Sequence, residues 1–301
     1  MNKNIGWELY RSFFGVMQHG SLSAAARALG STQPTIGRHI TELERALNVP
    51  LFMRTQGGLT PTEGAKALVG HAQEMANVAQ AMERVASSQG DNIQGTVRVT
   101  TSDIIGIEVL PNTLAKLGNQ YAKLHLELVL SDKPQNLLSR EADIAVRMFR
   151  PTQNQLIARR VGNIPLGFYA HSNYLTQVGI PTSIDDLKQH RFIGFDQFTD
   201  YIRETLKTLP FNLEKQHFSY RTDSNVAQLS LIRAGAGIGI CQVSLAQREP
   251  SLVRILADDL NIPMEIWVTM HEDLRKSSSC QIVFDALVQG LSDYVNAEVA
   301  T

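Results

Sequence analysis

Residues 21–47, SLSAAARALGSTQPTIGRHITELERAL, contain two short helical patterns separated by a turn, and they decide the fold of the N-terminal region. The first pattern predicts a helix over Leu22–Leu29, with Ser21 placed to cap its first amides. Gly30 follows where a left-handed residue commonly ends a helix. Pro34 then falls in the first turn of a second helix, where an N–H has no intrahelical acceptor. The stretch therefore predicts two helices joined by a tight turn.

The second helix has two chemically different faces. Its apolar residues recur at spacings of four, three and four and form one stripe, namely Ile36, Ile40, Leu43 and Leu47. The opposite face carries Pro34, Thr35, Arg38, Thr41 and Arg45, with Gln33 at the flank. Gln can pair with adenine, Arg with guanine or phosphate, and Thr with a thymine methyl group or phosphate. The arrangement favours a DNA-binding helix-turn-helix over the alternative, an ordinary solvated amphipathic helix.

The flanking residues extend this motif on both sides. A helix over residues 5–18 would cover the alanine-rich helix as the third member of a cluster. After the second helix, Leu51-Phe52 and Leu59 predict two short strands around Gly57-Gly58, a strong hairpin signal. Arg54 lies on the approach to that turn. The hairpin is interpreted as a wing that touches the minor groove or the backbone, and the alternative is a hairpin that only closes the core.

A long helix is predicted after the hairpin, with Thr62 as its cap. Its apolar residues alternate spacings of three and four and form a heptad seam, namely Ala65, Leu68, Ala72, Met75, Ala79, Met82 and Ala86. A solitary helix with one narrow apolar stripe needs a partner. The seam therefore predicts a dimerisation helix, the alternative being packing on its own chain. Residues 87–91 read as a hinge.

Composition bounds the remaining possibilities. The 301 residues are 43% hydrophobic and 19% charged, which is typical of a soluble globular protein with two or three structural units. Residues 1–90 contain 8 Lys and Arg against 6 Asp and Glu, so any affinity for nucleic acid depends on local placement. The two cysteines fit a reducing cytoplasm, and neither a signal peptide nor a membrane span is predicted. No catalytic or metal-binding motif is found, so neither an enzyme nor a cofactor is expected.

The first ninety residues resemble LysR-type transcriptional regulators. The run SLSAAARALGSTQPTIGRHITELERALNVPLFMRTQGGLTPTEGA and the long helix after it carry the resemblance. One departure is Gly37, which costs the recognition helix about 1 kcal/mol relative to Ala unless it allows close approach to DNA. The predicted DNA contacts are Gln33, Thr35, Arg38 and Arg54, together with Ser21, Ser23, Thr32, Pro34 and Thr60. The resemblance implies a winged helix-turn-helix over residues 1–62, a linker helix and hinge over 63–90, and an effector-binding domain over 91–301.

Residues 92–301 alternate predicted strands with predicted helices. Strands are predicted at Thr96–Thr101, Leu124–Leu130 and Asp143–Val146, and the alternation continues to Ile266–Met270. This pattern indicates an α/β fold with a mostly parallel sheet. The resemblance implies two lobes like those of periplasmic binding proteins, one of about residues 92–163 and 269–301, and another of about 164–268.

Polar residues cluster where these strands end, which is where such folds bind ligands. The candidate effector-binding residues are Thr100, Thr101, Ser102, Ser131, Arg147, Phe195, Thr222 and Ser224. They predict a cleft for a small carboxylate or aromatic acid. The alternatives are strand-end capping without a ligand and, for Arg147, a salt bridge. Asp103 and Asp132 near the same cleft could oppose an anion.

Two further features of the sequence do not indicate a binding site. Gly235–Ile240 lacks the spacing of a nucleotide-binding loop and precedes a strand rather than opening a helix. Cys241 and Cys280 are 39 residues apart, a separation that departs from the close pair of the family's peroxide sensor. Neither nucleotide binding nor redox sensing is therefore predicted.

The sequence thus predicts a cytoplasmic transcription factor controlled by a small-molecule effector. Its expected partners are double-stranded DNA with spaced, two-fold related half-sites, the effector, and further copies of itself as dimers or tetramers. RNA polymerase is a further candidate partner. Two alternatives are a metabolite-processing enzyme with a regulatory DNA module, and an architectural DNA-binding protein that needs no effector.

Overall fold

The computed structural model describes residues 5–55, 58–87, 93–131, 141–151, 153, 155–258 and 260–297. The chain divides into two units. One comprises Met1–Glu83 with Ser139–Glu141, and the other comprises Arg84–Leu138 with Ala142–Thr301.

The first unit begins with three helices and a two-stranded hairpin. They are α1 (Trp7–His19), α2 (Leu22–Ala28), α3 (Gln33–Leu47), β1 (Phe52–Thr55) and β2 (Gly58–Pro61). The predicted cap of α2 is present, since the Ser21 hydroxyl accepts from the Ala24 amide at 3.2 Å. The Thr32 hydroxyl caps α3 by accepting from the Thr35 amide at 3.4 Å. Buried apolar side chains from all three helices form one core with Leu51, which follows α3, and they include Phe13, Ala25, Ile36 and Leu43. The apolar stripe predicted for the second helix therefore faces this core.

The hairpin is tied to α3 by a side chain that the sequence analysis did not single out. The Glu44 carboxylate accepts the backbone N–H of Leu51 at 2.7 Å and that of Phe52 at 3.1 Å. Leu51 lies between α3 and the hairpin, and Phe52 is the first residue of β1. Glu44 therefore fixes the path from α3 into β1.

The long helix α4 spans Glu63–Ser87, and the Thr62 hydroxyl accepts from the Ala65 amide at 3.2 Å. Its predicted seam is divided between two environments. Ala65 and Ala72 are buried in the core of the first unit, whereas Met75 and Met82 are 40% and 66% exposed. The last turns of the seam thus present apolar surface.

The second unit starts with a parallel α/β lobe. Its elements are β3 (Gly95–Thr101), α5 (Asp103–Glu108), α6 (Pro111–Gln120), β4 (Leu124–Leu130) and β5 (Ile144–Arg147). Strand β3 pairs in parallel with both β4 and β5. Two long strands, β6 (Leu156–His171) and β11 (Ile262–His271), then run antiparallel to each other from this lobe into the next.

The second lobe lies between these two strands in the sequence. It contains α7 (Ser172–Val178), β7 (Phe192–Gly194), α8 (Asp200–Lys207), β8 (Phe218–Arg221), α9 (Asn225–Arg233), β9 (Gly239–Gln242), α10 (Val243–Ala246) and β10 (Leu252–Ile255). Short 3-10 helices lie at Asp185–Gln189, Lys215–His217 and Glu272–Lys276, and α11 (Ser278–Asn296) packs in the core of the first lobe. The α/β fold class with two lobes is confirmed.

The expectation of a mostly parallel sheet is wrong for the largest sheet. Its strand order is β10-β6-β11-β5-β3-β4, and β9 also pairs with β6 outside this order. The pairs β6–β10, β6–β11, β6–β9 and β5–β11 are antiparallel. Parallel pairing is kept within the lobes, at β3–β4, β3–β5 and β7–β8. The difference arises because β6 and β11 cross between the lobes in opposite directions.

Gly237→Ala tests a close backbone approach at the turn before β9. A Cβ at Gly237 would overlap the carbonyl oxygen of Arg191, which belongs to rigid backbone. We expect the substitution to lower the free energy of unfolding of the second unit by about 2 kcal/mol. Gly118→Ala in α6 is the control, because open space surrounds that position and the helix should gain stability. Urea unfolding followed by Trp267 fluorescence, with Trp7 replaced by Phe, measures both; equal stability of the two variants would contradict the prediction.

Glu44→Ala tests the tie between α3 and the hairpin. Removing the carboxylate leaves two partly buried N–H groups without an acceptor, so we expect a loss of about 2 kcal/mol. Glu42→Ala is the control, because Glu42 is exposed on the same helix and has no side-chain partner within the described residues. Urea unfolding followed by Trp7 fluorescence, in a variant without the other tryptophan, compares them. Matching curves for the two variants would refute a role for Glu44.

Candidate DNA-binding and effector-binding sites

The start of α3 forms an exposed polar surface with defined geometry. The Ser23 hydroxyl of α2 donates to the Gln33 side-chain oxygen at 3.0 Å, and the hydroxyls of Thr32 and Thr35 lie 2.9 Å apart. Gln33 and Thr32 are exposed, and Thr35 is half-buried. These bonds hold the hydroxyl and amide groups in place while each keeps further hydrogen-bonding capacity.

Arg38 lies one turn further along the same surface. It is exposed and has no hydrogen bond or ion pair within the described part of the chain. Pro34 is exposed as well, and a Cβ at Gly37 would meet only Leu22, at an ordinary contact distance of 3.7 Å. The fold itself therefore does not require glycine at position 37.

The structure gives less detail for the other predicted DNA contacts. Ser21 serves as the cap of α2, and Thr60 is exposed on β2. Arg54 is paired in the hairpin with Leu59, but its side chain lies outside the described residues.

The end of β3 places two buried threonines and the half-buried Ser102 in succession. Thr100 and Thr101 are fully buried, and the Thr100 hydroxyl accepts from Arg147, at the end of the neighbouring strand β5, at 3.4 Å. The hydroxyl oxygens of Thr101 and Ser102 are buried and have no hydrogen-bond partner within the described residues. A buried hydroxyl without a partner is uncommon and costs stability.

In the second lobe, by contrast, the polar side chains form hydrogen bonds with backbone amides close to them in the sequence. The Ser224 hydroxyl caps α9 by accepting from the Ala227 amide at 3.3 Å, and the Thr222 hydroxyl accepts from the Ser224 amide at 3.2 Å. Phe195 is half-buried just after β7. The neighbouring Asp223 carboxylate is also committed, because it accepts the amides of residues 196 and 197.

In the first lobe, the Ser131 amide donates to the Thr101 carbonyl at 2.8 Å, which places Ser131 at the same strand edge. Asp103 opens α5 immediately after Ser102. Asp132 lies outside the described residues. The structure thus brings Thr100, Thr101, Ser131 and Arg147 together at one edge of the sheet.

An ion-pair network joins the two lobes. It was not predicted from the sequence. Arg233 of α9 donates to Glu108 of α5 at 2.7 and 3.2 Å, and to Glu249 at 2.7 Å. Arg248 donates to the Glu108 carbonyl at 2.8 Å. The bond from Arg233 holds the pKa of Glu108 below its usual value. Pairs 125 residues apart in the chain leave no local sequence pattern that could reveal them.

Both cysteines are buried, and burial raises the pKa of Cys241 to about 12 and that of Cys280 to about 11. Thiols of this kind are poor nucleophiles at neutral pH. No group of metal-ligating side chains was found among the described residues. None of the helices in the same residues is long and apolar enough to cross a membrane.

The chain is similar to known transcriptional regulators along most of its length. The transcriptional regulator CrgA of Neisseria meningitidis is 29% identical over 287 residues, covering 93% of this chain and 95% of its own. The transcriptional activator AaeR of Escherichia coli is 25% identical over 284 residues, covering 91% and 90%. Full-length CbnR, solved in complex with its target DNA, has the same fold with a TM-score of 0.67 at 20% identity, covering 94% of this chain and 99% of that one.

Two family models match different parts of the chain. The model of the bacterial regulatory helix-turn-helix protein of the lysR family matches residues 7–66, and that of the LysR substrate binding domain matches residues 90–292. The resemblance drawn from the sequence is confirmed, and the family consists of transcriptional regulators rather than enzymes. The chain belongs to the LysR family of DNA-binding transcriptional regulators, with an effector-binding domain after its helix-turn-helix.

Proposed function

We propose that this regulator reads a DNA operator through α3 and responds to a small carboxylate or aromatic acid bound between the lobes of its second unit. The observation that carries the DNA part is the exposed, unpaired guanidinium of Arg38 beside a Gln33 side chain that is already oriented by Ser23. The predicted boundaries, 1–62, 63–90 and 91–301, belong to this proposal.

The DNA-reading surface combines base recognition with positioning. Arg38 would bond guanine or a phosphate, and Gln33 would pair with adenine. Thr32, Thr35 and Pro34 would line the groove, while Ser21, Ser23, Arg54 and Thr60 would position the backbone. The operator would contain two half-sites related by a two-fold axis, because each protomer supplies one recognition helix.

A dimer through α4 is supported by the surface that this helix exposes. Met75, Val78 and Met82 follow the three-and-four spacing of a seam and are between 40% and 66% exposed. Apolar side chains at that spacing are stabilised by a second helix with the same pattern. The proposed occupant is α4 of a second copy. Assembly into tetramers and contact with RNA polymerase are further parts of the proposal.

Arg38→Ala should weaken binding to the operator without lowering thermal stability. Loss of a guanine or phosphate contact predicts an increase in Kd of about 10- to 100-fold. Arg11→Ala on α1 is the matched control, since Glu8 on its own helix is the one partner that Arg11 has among the described residues. Gel-shift titration on the upstream intergenic DNA, with random DNA as competitor at two salt concentrations, compares the variants. Unchanged affinity of Arg38→Ala would remove Arg38 from the interface.

The effector part rests on hydroxyls that the fold leaves unbonded. Thr101 and Ser102 present buried hydroxyl oxygens without partners within the described residues, and Arg147 donates to the preceding residue, Thr100. A carboxylate could accept from such hydroxyls, and the half-buried Phe195 would suit an aromatic ring. Ser131, Thr222 and Ser224 would complete the cleft, and Asp103 would favour a ligand of low total negative charge.

Thr101→Val should have two opposite effects, a gain in stability without ligand and a loss of stabilisation by the effector. Removing an unbonded buried hydroxyl without changing its shape should raise the stability of the ligand-free protein by about 1 kcal/mol. The same change should abolish stabilisation by the effector. Thr100→Val is the control, because its hydroxyl accepts from Arg147 and its loss should lower stability. Thermal unfolding with and without a panel of small carboxylates, benzoate included, measures both effects. Destabilisation by Thr101→Val, or an unaltered ligand response, would count against the proposed cleft.

A further inference from the structure

The second lobe contains a cavity that is not part of the proposed effector cleft. Its volume is about 260 Å³, enough for a small organic molecule. Val243 and Ala246 of α10 and Leu252 of β10 supply apolar walls, and Tyr169 of β6 and Arg254 of β10 supply polar groups. A pocket with mostly apolar walls and a few fixed polar groups is the usual form of a small-molecule site.

Arg254 is the unusual group in this cavity. Its Nε atom is buried and has no hydrogen-bond partner, and the residue has no ion pair or ring contact within the described residues. A half-buried guanidinium normally finds a carboxylate, because partial burial without a partner costs free energy. Arg254 thus presents an unbalanced positive charge at the cavity wall.

The backbone makes room for this guanidinium. Arg254 pairs across the sheet with Tyr169, and Gly167 lies two residues before Tyr169 on the same face. A Cβ at Gly167 would lie 3.1 Å from Arg254 Nε and 3.2 Å from the Tyr169 ring. The glycine therefore permits the position that the guanidinium takes over β6.

The one carboxylate at the cavity, Glu249, is already committed elsewhere. Its Oε1 atom accepts from Arg233 at 2.7 Å, within the network that also holds Glu108 and Arg248. The two carboxylates of that network are balanced by its two arginines. The charge of Arg254 is left for a ligand to neutralise.

We propose that this cavity is a second ligand site, which binds a small monocarboxylate of about four to six carbon atoms with its carboxylate on Arg254. The apolar walls favour a hydrocarbon tail over inorganic phosphate, whose charge would remain unneutralised by a single guanidinium. Because Glu249 both lines the cavity and bonds Arg233, the ligand would lie beside the ion pairs that join the two lobes. The site is independent of the cleft at Thr101.

Fluorine NMR with trifluorobutyrate as the probe tests the site in the full-length protein. Broadening of the probe signal on titration gives its Kd for the wild type and for Arg254→Gln, Gly167→Ala and Arg254→Lys. We expect Kd to rise about 10-fold or more for Arg254→Gln and Gly167→Ala, and less for Arg254→Lys, which keeps the charge without the planar fork. Gly167→Ala keeps the charge of Arg254 but displaces its guanidinium, so it separates the effect of position from that of charge.

Arg191→Gln is the control, because it removes a surface arginine of the same lobe that stacks on Tyr174. It should bind the probe as the wild type does, and melting curves confirm that each variant is folded. All titrations are repeated in a Thr101→Val background, which removes binding of the probe at the proposed effector cleft. Equal Kd values for all variants in that background, or no broadening there up to about 10 mM probe, would each overturn the second site.

Discussion

The antiparallel ladder between β6 and β11 is the constraint on which the rest of the second unit depends. It runs from Leu156 paired with His271 to Leu166 paired with Ile262, so both lobes are built on the same two strands. Its register shifts between Ile266 and Trp267, and such a bulge increases the local twist of a strand. Strand β5 of the first lobe pairs with β11, and strands β9 and β10 of the second lobe pair with β6.

Strand β5 connects the candidate cleft to a buried ion pair through only four residues. Asp143, just before the strand, accepts from Arg84 Nε at 2.8 Å and from the Arg98 amide at 2.8 Å. Arg147, at the other end of the strand, bonds Thr100. Removing one partner of a buried pair leaves an uncompensated charge, so this end of β5 is firmly anchored. Arg84 and Arg147 are thus bonded at opposite ends of β5, one to Asp143 and the other to Thr100.

The sequence predicted local structure well and long-range pairing poorly, for a physical reason. Apolar spacing and caps reveal which face of a helix is buried, which is why α2, α3 and the hairpin were expected near their observed positions. The same spacing does not reveal what covers the face, so the seam of α4 did not separate buried Ala72 from exposed Met82. The tie from Glu44 to the hairpin and the bond from Arg233 to Glu108 depend on the folded backbone, and neither has a local pattern.

Ser102 and Ser224 illustrate where sequence reasoning ends for the site. Each follows a strand and precedes a helix, and each carries the hydroxyl that a helix start prefers, so the two residues are equivalent as patterns. In the folded chain the Ser224 hydroxyl caps α9, whereas the Ser102 hydroxyl makes no cap bond to α5 and has no other partner within the described residues. Local capping accounts for Ser224 without a ligand. It does not account for Ser102 or for the neighbouring Thr101, whose buried hydroxyl oxygens lose their bonds to water on folding and gain none within the described residues.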